Sequence, residues 1–443
     1  MTLTLLKISN ISNISNISKV SKIRLYLLLA LVTIVCICSV LLWSRKGRRV
    51  NAVNAVNAVN AVNAVNAVNA VNAVNERFNN TGKFLMFRIS DSLDYSATSS
   101  IPVLQPFSEL ADSYPNWLGI ADSYNDANFI TFETLNKIDL LMQQIVFPNE
   151  TKYIFGLRAS DMIASKSLLA LTLKGANLLH LMPRTYVTEG GTDRNAFLSE
   201  YDDRKIYILK KNVQRQEGVV ISSDKTVLLN AFEKQMHSGH TFDYVVCQEL
   251  LQDPLVIRGR DLVSRKINLR VYLLVVVSSS GTSIFMYDDG FVYYTADAWT
   301  PQSLLAGPNI TTGYVDRQVY ADNPLTTQDL YSFLDLEKAL ALRSNMIATL
   351  TALASTYKPI FQNNNNTYPG TKFMIYGCDI APAADLTVKI MEINKGPDLG
   401  YKDVRDKALK LGMVRDALQI VGILPLLEAN ASNDENNKFV KLV

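Results

Sequence analysis

The residues best suited to chemistry lie in three stretches where polar side chains take alternate strand positions. The first runs Phe373-Met-Ile-Tyr-Gly-Cys-Asp379-Ile, then a turn-like Ala-Pro-Ala-Ala-Asp385, then Val388-Lys-Ile-Met-Glu392-Ile-Asn394. A hairpin centred near Asp385 and Leu386 sets Asp379 roughly opposite Glu392, and the two-residue period puts Glu392 and Asn394 on one face. Three oxygen-bearing side chains at one end of a hairpin suit Mg²⁺, which favours carboxylates plus phosphate oxygens over a closed protein cage. Glu392 lies within an otherwise apolar strand, and a buried carboxylate needs a partner, which argues against a plain surface hairpin. In Lys266-Ile-Asn268-Leu-Arg270-Val-Tyr272-Leu, the apolar residues share one face while Lys266, Asn268, Arg270 and Tyr272 share the other. Taken alone, that pattern is a half-exposed strand with a solvated face. The third stretch, Tyr207-Ile-Leu-Lys210-Lys211, ends a strand on lysines that can reach a phosphate or simply face water. Together the three imply a nucleoside triphosphate with Mg²⁺.

These residues need elements to hold them. No Gly-x4-Gly-Lys-Ser/Thr loop occurs, and kinase catalytic motifs and His-Glu-x-x-His are also absent, so the nucleotide has to lie between sheets. Lys83–Ile89, Lys205–Leu209 and Tyr244–Leu250 read as strands. Ser160–Leu173 reads as a helix capped by Ser160 or Asp161. Thr327–Tyr357 reads as a long, breakable helix opened by Thr327, and Val404–Leu424 as a closing helix. Strands and helices mix without the regular alternation of a doubly wound sheet. The expected class is therefore α+β with largely antiparallel sheets.

The length of 443 residues allows two or three domains, and 14 Pro and 20 Gly argue against a collagen-like or wholly disordered chain. Four cysteines exclude a disulfide-built scaffold, and Cys247 and Cys378 read as buried, inert thiols. Eight bases and one acid precede residue 77, which leaves 36 bases and 40 acids for the remainder, near −4. The body of the protein is thus not a basic nucleic-acid surface, and no nucleic acid is expected as partner.

Leu25–Trp43 is an uncharged apolar run of 19 residues flanked by bases. As a helix it would span roughly 28 Å, close to the hydrocarbon core of a bilayer. It reads as one transmembrane helix, with Tyr26 and Trp43 as interfacial anchors. Asn51–Val74 holds eight Asn-Ala-Val repeats whose period of three builds no consistent apolar face, a spacer pattern. The expected segments are a basic, low-complexity start (1–24), the anchor (25–43), a repeat linker (44–82), N-terminal and central subdomains (83–200), a catalytic core (201–425) and a C-terminal tail (426–443).

Over roughly residues 83–425 the chain resembles the tubulin–tyrosine ligase-like family, a branch of the ATP-grasp ligases. Tyr207-Ile-Leu-Lys210 resembles the family's phosphate-contacting strand. Val246-Cys-Gln248-Glu249-Leu250-Leu251, followed by Asp253-Pro254-Leu255, resembles the adenine hinge. Lys266-Ile-Asn268-Leu-Arg270 resembles Lys-Phe-Asp-Leu-Arg, and Gly290-Phe-Val-Tyr293 resembles the next strand. Asn309-Ile-Thr311-Thr312 resembles His-Leu-Thr-Asn, and Asp379, Glu392 and Asn394 fall on the metal ligands.

The resemblance implies an ATP-grasp-like fold and a ligase that phosphorylates a carboxylate with ATP, then lets an amine attack the acyl-phosphate. It implies ATP at Lys210, Gln248, Glu249, Leu250, Leu251, Lys266, Thr311 and Thr312. It implies Mg²⁺ at Asp379, Glu392 and Asn394, and catalytic roles for Lys266, Asn268, Arg270 and Glu392, with Arg270 gripping a substrate carboxylate. The partners implied are a free amino acid and a protein with an acidic or C-terminal tail, tubulin in the family's case. Residues 25–43 would tie the enzyme to a membrane, with the catalytic part on the cytosolic side. Four residues depart from the family pattern: Asn268 replaces Asp, Tyr293 replaces Arg, Glu249 replaces Lys and Gln216 replaces a loop Gly. They leave two other readings open, a catalytically weakened homologue that binds ATP or a tail, and an ATP-grasp ligase with a non-tubulin acceptor.

Overall fold

The computed structural model describes residues 83–90, 105–212, 219–237, 244–312, 318–425 and 437–443. The apolar run 25–43 and the repeat linker lie outside them. Among the described residues, no helix is long and apolar enough to cross a membrane.

The first strands are short and parallel. β1 (Phe84–Ile89) is flanked by β2 (Leu118–Ile120) and β3 (Phe129–Phe132), and β3 pairs with β4 (Tyr153–Phe155), every pairing parallel. Most of the remaining ladders are antiparallel, as expected, and these parallel strands are the part that the sequence does not announce. Helices Gln105–Ser113 and Ile138–Gln144 supply crossovers that parallel strands require.

A separate four-stranded sheet follows, made of β5 (Thr185–Val187), β6 (Tyr207–Lys211), β7 (Val219–Ser222) and β8 (Tyr244–Glu249), in the order β5-β8-β6-β7 and wholly antiparallel. Its own core holds Tyr186, Phe197, Tyr207 and Phe232, with Phe197 and Phe232 stacked at 5.1 Å. This sheet draws strands from both sides of the boundary expected at residue 200.

The chain then returns to the large sheet. Short β9 (Val256–Arg258) leads into the long hairpin of β10 (Ser264–Ser278) and β11 (Gly281–Thr295). β12 (Thr311–Thr312) borders β11. β13 (Thr371–Pro382) pairs antiparallel with β10 on one side. Its other side is shared, with Thr371 to Phe373 parallel to β4 and Tyr376 to Pro382 antiparallel to β14 (Val388–Lys395). β15 (Phe439–Lys441) covers part of β11. One continuous apolar core underlies this sheet.

Two helix expectations need correction. The helix expected over Ser160–Leu173 is two, Ser160–Ala164 and Lys166–Gly175, separated by an extended Ser165. Neither Ser160 nor Asp161 caps it. Ala159 is left-handed at φ 65°, and Asp139 accepts from the amides of Ala159 (2.5 Å) and Asp161 (3.0 Å). The Ser160 hydroxyl turns inward to Tyr376 Oη at 2.7 Å. The helical pattern from Thr327 also divides, into Thr327–Phe333 and Leu336–Asn365. Thr326 rather than Thr327 opens it, through a reciprocal capping box with Asp329, and Asp335 caps the second helix. The second helix lays Leu342, Met346, Leu350, Leu353, Tyr357 and Phe361 into the core at helical spacing.

Candidate functional site

The hairpin forms in the expected register. Asp379 on β13 pairs directly with Glu392 on β14, and Gly377 pairs with Asn394. Leu386 takes φ 68° at the turn, and Asp385 accepts from the Thr387 amide and hydroxyl. The register shifts just past Asp379, where Ile380 faces Ile390, so one extra residue re-aims the strand beside the carboxylates. The side chains of Asp379 and Glu392 keep 14% and 30% of their surface exposed. Asn394 Nδ2 points at both, 3.4 Å from Asp379 Oδ2 and 3.5 Å from Glu392 Oε1.

Arg270 on β10 lies opposite Asp379 across the β10–β13 ladder. Its Nε and Nη2 donate to Asp379 Oδ1 and Oδ2 at 2.5 and 2.9 Å. The guanidinium also sits 5.3 Å from the Tyr293 ring centroid, a cation–π distance. Two glycines permit this placement. A Cβ on Gly290 would fall 2.2 Å from the Arg270 carbonyl oxygen, and one on Gly377 would fall 3.1 Å from Arg270 Cδ. The two-pronged grip expected of Arg270 therefore exists here, but on Asp379.

The lysines come from different elements. Lys210 ends β6 almost fully buried and donates to Gln248 Oε1 at 2.8 Å, while Gln248 Nε2 donates to Thr185 Oγ1 at 2.7 Å. Lys266 is buried and donates to the Asn309 carbonyl at 3.0 Å. Lys166 Nζ lies 3.2 Å from Glu392 Oε2. Burial brings Lys210 down to about 8, with Lys166 pushing the same way and Glu392 and Asp379 opposing. Lys266 is lowered to about 8 by burial and by neighbouring Lys210. Burial alone would raise Glu392, yet Lys166 and Lys210 outweigh it and hold the carboxyl at about 2. Asp379 is raised by burial despite Arg270, and the Glu392 charge adds to that. These mutual influences gather β6, β10, β13, β14 and the helix opening at Lys166 around one region. Lys166 and Lys210 act on Glu392, Arg270 pairs with Asp379, and Lys266 and Lys210 feel each other's charge, a cationic setting that suits a polyphosphate.

The remaining expected residues are less uniform. Glu249 turns away and pairs with Lys205 at 2.8 Å. The amides of Glu249 and Leu250 are already bonded to the carbonyls of Arg184 and Ile206. Thr311 and Thr312 lie on β12, next to the β11 residues that pair with the start of β10. Asn268 Oδ1 is buried with no hydrogen-bond partner. Asn309 is buried, and its Nδ2 donates to the carbonyls of Ser303 and Leu305. Cys247 and Cys378 are buried free thiols, with burial pushing both up.

Sequence reasoning missed Lys166 and Thr185. Lys166 follows a helix break that no apolar period announces, and Thr185 acts only through its contact with Gln248.

The two carboxylates fit a hard divalent cation, and Asn394 would add its Oδ1 on turning the Nδ2 away from them. Two carboxylates and an amide converge, and among the described residues no group of three or more His, Cys, Asp and Glu exists to form a closed cage. Such a sparse set suits Mg²⁺ completed by phosphate oxygens and water.

The chain belongs to the Tubulin-tyrosine ligase family, whose family model matches residues 143–430. Its mixed α/β sheets agree with an ATP-grasp-like ligase of that family. Among its relatives, Tubulin glycylase 3B of Drosophila melanogaster is 23% identical over 236 residues, covering 50% of this chain and 30% of that protein. Tubulin polyglutamylase TTLL7 of Xenopus tropicalis is 22% identical over 274 residues, covering 55% of this chain and 28% of that protein. The matched region is less than a third of either relative's length.

Proposed function

We propose that the chain is an ATP- and Mg²⁺-dependent ligase that joins an amino acid to a protein carboxylate of the tubulin-tail type, through an acyl-phosphate. The observation that carries this reading is the Lys166–Glu392 ion pair beside Asp379 across the hairpin, with the charges of Glu392 and Asp379 acting on the buried Lys210. Family membership supports ATP and metal use, and the names of the relatives support tubulin as acceptor.

In this reading Asp379, Glu392 and Asn394 hold the Mg²⁺, which supplies charge neutralisation at the phosphates when bound. Lys210 and Lys266 stand against phosphate oxygens, and Gln248 orients Lys210. Their near-neutral pKa values mean that an incoming polyphosphate completes their protonation. Carboxylates are poor electrophiles, so phosphorylation provides the leaving group, and positioning with charge neutralisation does most of the catalytic work. Arg270 serves the substrate carboxylate, and Leu25–Trp43 tethers the enzyme to a membrane.

The test is full-length protein with Mg-ATP, tubulin and labelled glutamate, glycine or tyrosine, followed by label incorporation and ADP release. Turnover that disappears in Glu392→Gln supports the ligase, whereas absence of turnover with every amino acid and acceptor contradicts it. A second reading, a binding homologue without ligation, is favoured by the neutral Asn268 and by the Arg270 fork on Asp379. It predicts Mg-ATP binding without ADP release. Turnover with another acceptor but none with tubulin would instead mark a non-tubulin ligase.

A further inference from the structure

Arg270 covers the carboxylate that a divalent cation held by this hairpin would need. The guanidinium covers both oxygens of Asp379, at 2.5 and 2.9 Å. Glu392 is already served by Lys166 at 3.2 Å and lies within the influence of Lys210, so Asp379 is the member of the pair whose counter-charge can change. A guanidinium and a divalent cation on the same side chain would repel strongly where water is scarce. Two residues back on the same face of β10, Asn268 Oδ1 is a buried acceptor without a donor. That two-residue spacing, about 7 Å along a strand, is within reach of an arginine side chain.

We propose that Arg270 and the cation exchange at Asp379. While the cation is absent the guanidinium neutralises the carboxylate; cation binding releases it toward Asn268, where its fork is free for the carboxylate of an incoming substrate. This rests on the ligase reading of the site and adds an order to it: nucleotide with metal first, carboxylate substrate second. Linkage makes the effect reciprocal, so a bound carboxylate substrate tightens metal binding by the same factor.

The experiment uses full-length protein, Mn²⁺ as an EPR-visible probe and the β,γ-imido analogue of ATP. Arg270→Lys keeps the charge but cannot fork both oxygens. With the analogue present it should bind Mn²⁺ about tenfold more tightly than wild type, a coupling of ordinary size. Failure of wild type to bind the analogue at all overturns the nucleotide reading and this exchange with it. Analogue binding with equal or weaker Mn²⁺ affinity in Arg270→Lys overturns the exchange alone. A second readout needs no folded variant: in ¹⁵N-arginine-labelled wild type, Mg²⁺ with the analogue should shift the Arg270 Nε–H resonance, and an unmoved resonance overturns the exchange.

Discussion

Lys166, the first residue of a helix, holds its ammonium 3.2 Å from the Glu392 carboxylate on β14. An extended Ser165 separates this helix from the short one before it, so Lys166 opens a new helix rather than continuing the old one. Lys166→Met should weaken Mg-ATP binding about tenfold or more, consistent with loss of a charge-assisted contact. Isothermal titration calorimetry checks it, and unchanged affinity would place Lys166 outside the site.

Glu392→Gln removes the anion that Lys166 and Lys210 share. ADP release should fall on the order of 10²–10³, the range for losing one preorganised electrostatic group. Stability should drop by about 1–2 kcal/mol, less than for a fully buried pair, because Glu392 is 30% exposed. Denaturant melts and an ADP-release assay separate the two effects.

The lysines give a pH prediction. Lys210 and Lys266 fall from the ordinary 10.5 to about 8 in the folded protein. Between these values the unfolded chain binds more protons than the native one, so their contribution to stability rises with pH from about 8 to 10.5 and is flat below. Lys210→Met should lessen that slope in melts across the window. Nucleotide binding near pH 8.5 should draw protons back onto the lysines. Calorimetry in buffers of different ionisation enthalpy would show net proton uptake, and uptake of zero would contradict this account.

Gln248 links Thr185 to Lys210 through bonds of 2.7 and 2.8 Å. Gln248→Leu leaves a buried ammonium without its acceptor and should cost about 1–3 kcal/mol of stability. Nucleotide affinity should fall with it, whereas Glu249→Ala, whose side chain faces Lys205, should leave affinity nearly unchanged. Equal losses in both variants would refute the orienting role of Gln248.

Phe439 on β15 is buried against Tyr287 with ring centroids 5.0 Å apart. Phe439→Ala should destabilise the protein by about 3 kcal/mol, as large-to-small core substitutions do, with nucleotide affinity little changed at low temperature. A melt indistinguishable from wild type would show that β15 adds nothing to the large sheet.

The hairpin was legible because its signals are local: a two-residue period, a turn at Asp385 and Leu386, and two carboxylates placed by counting from that turn. Lys210 and Lys266 stood out for the same reason, as charges ending or beginning apolar strands. β2 and β4, with three residues each, are too short to show a period, which hid the parallel part of the sheet. The helix over 160–173 starts on a left-handed Ala159 whose amide bonds to Asp139, a partner twenty positions earlier that no window over residues 160–173 contains. The identity of Arg270 was plain, but its partner was not, since Asp379 lies 109 residues away and meets it only across the β10–β13 ladder.

Equilibrium binding of Mg-ATP to the full-length protein, compared with Lys210→Met, tests the central claim most directly. The account predicts saturable binding by wild type that weakens at least tenfold when the β6 ammonium is removed, a loss typical of a charge-assisted phosphate contact. Equal affinity in the two proteins, or no binding by wild type, would contradict it.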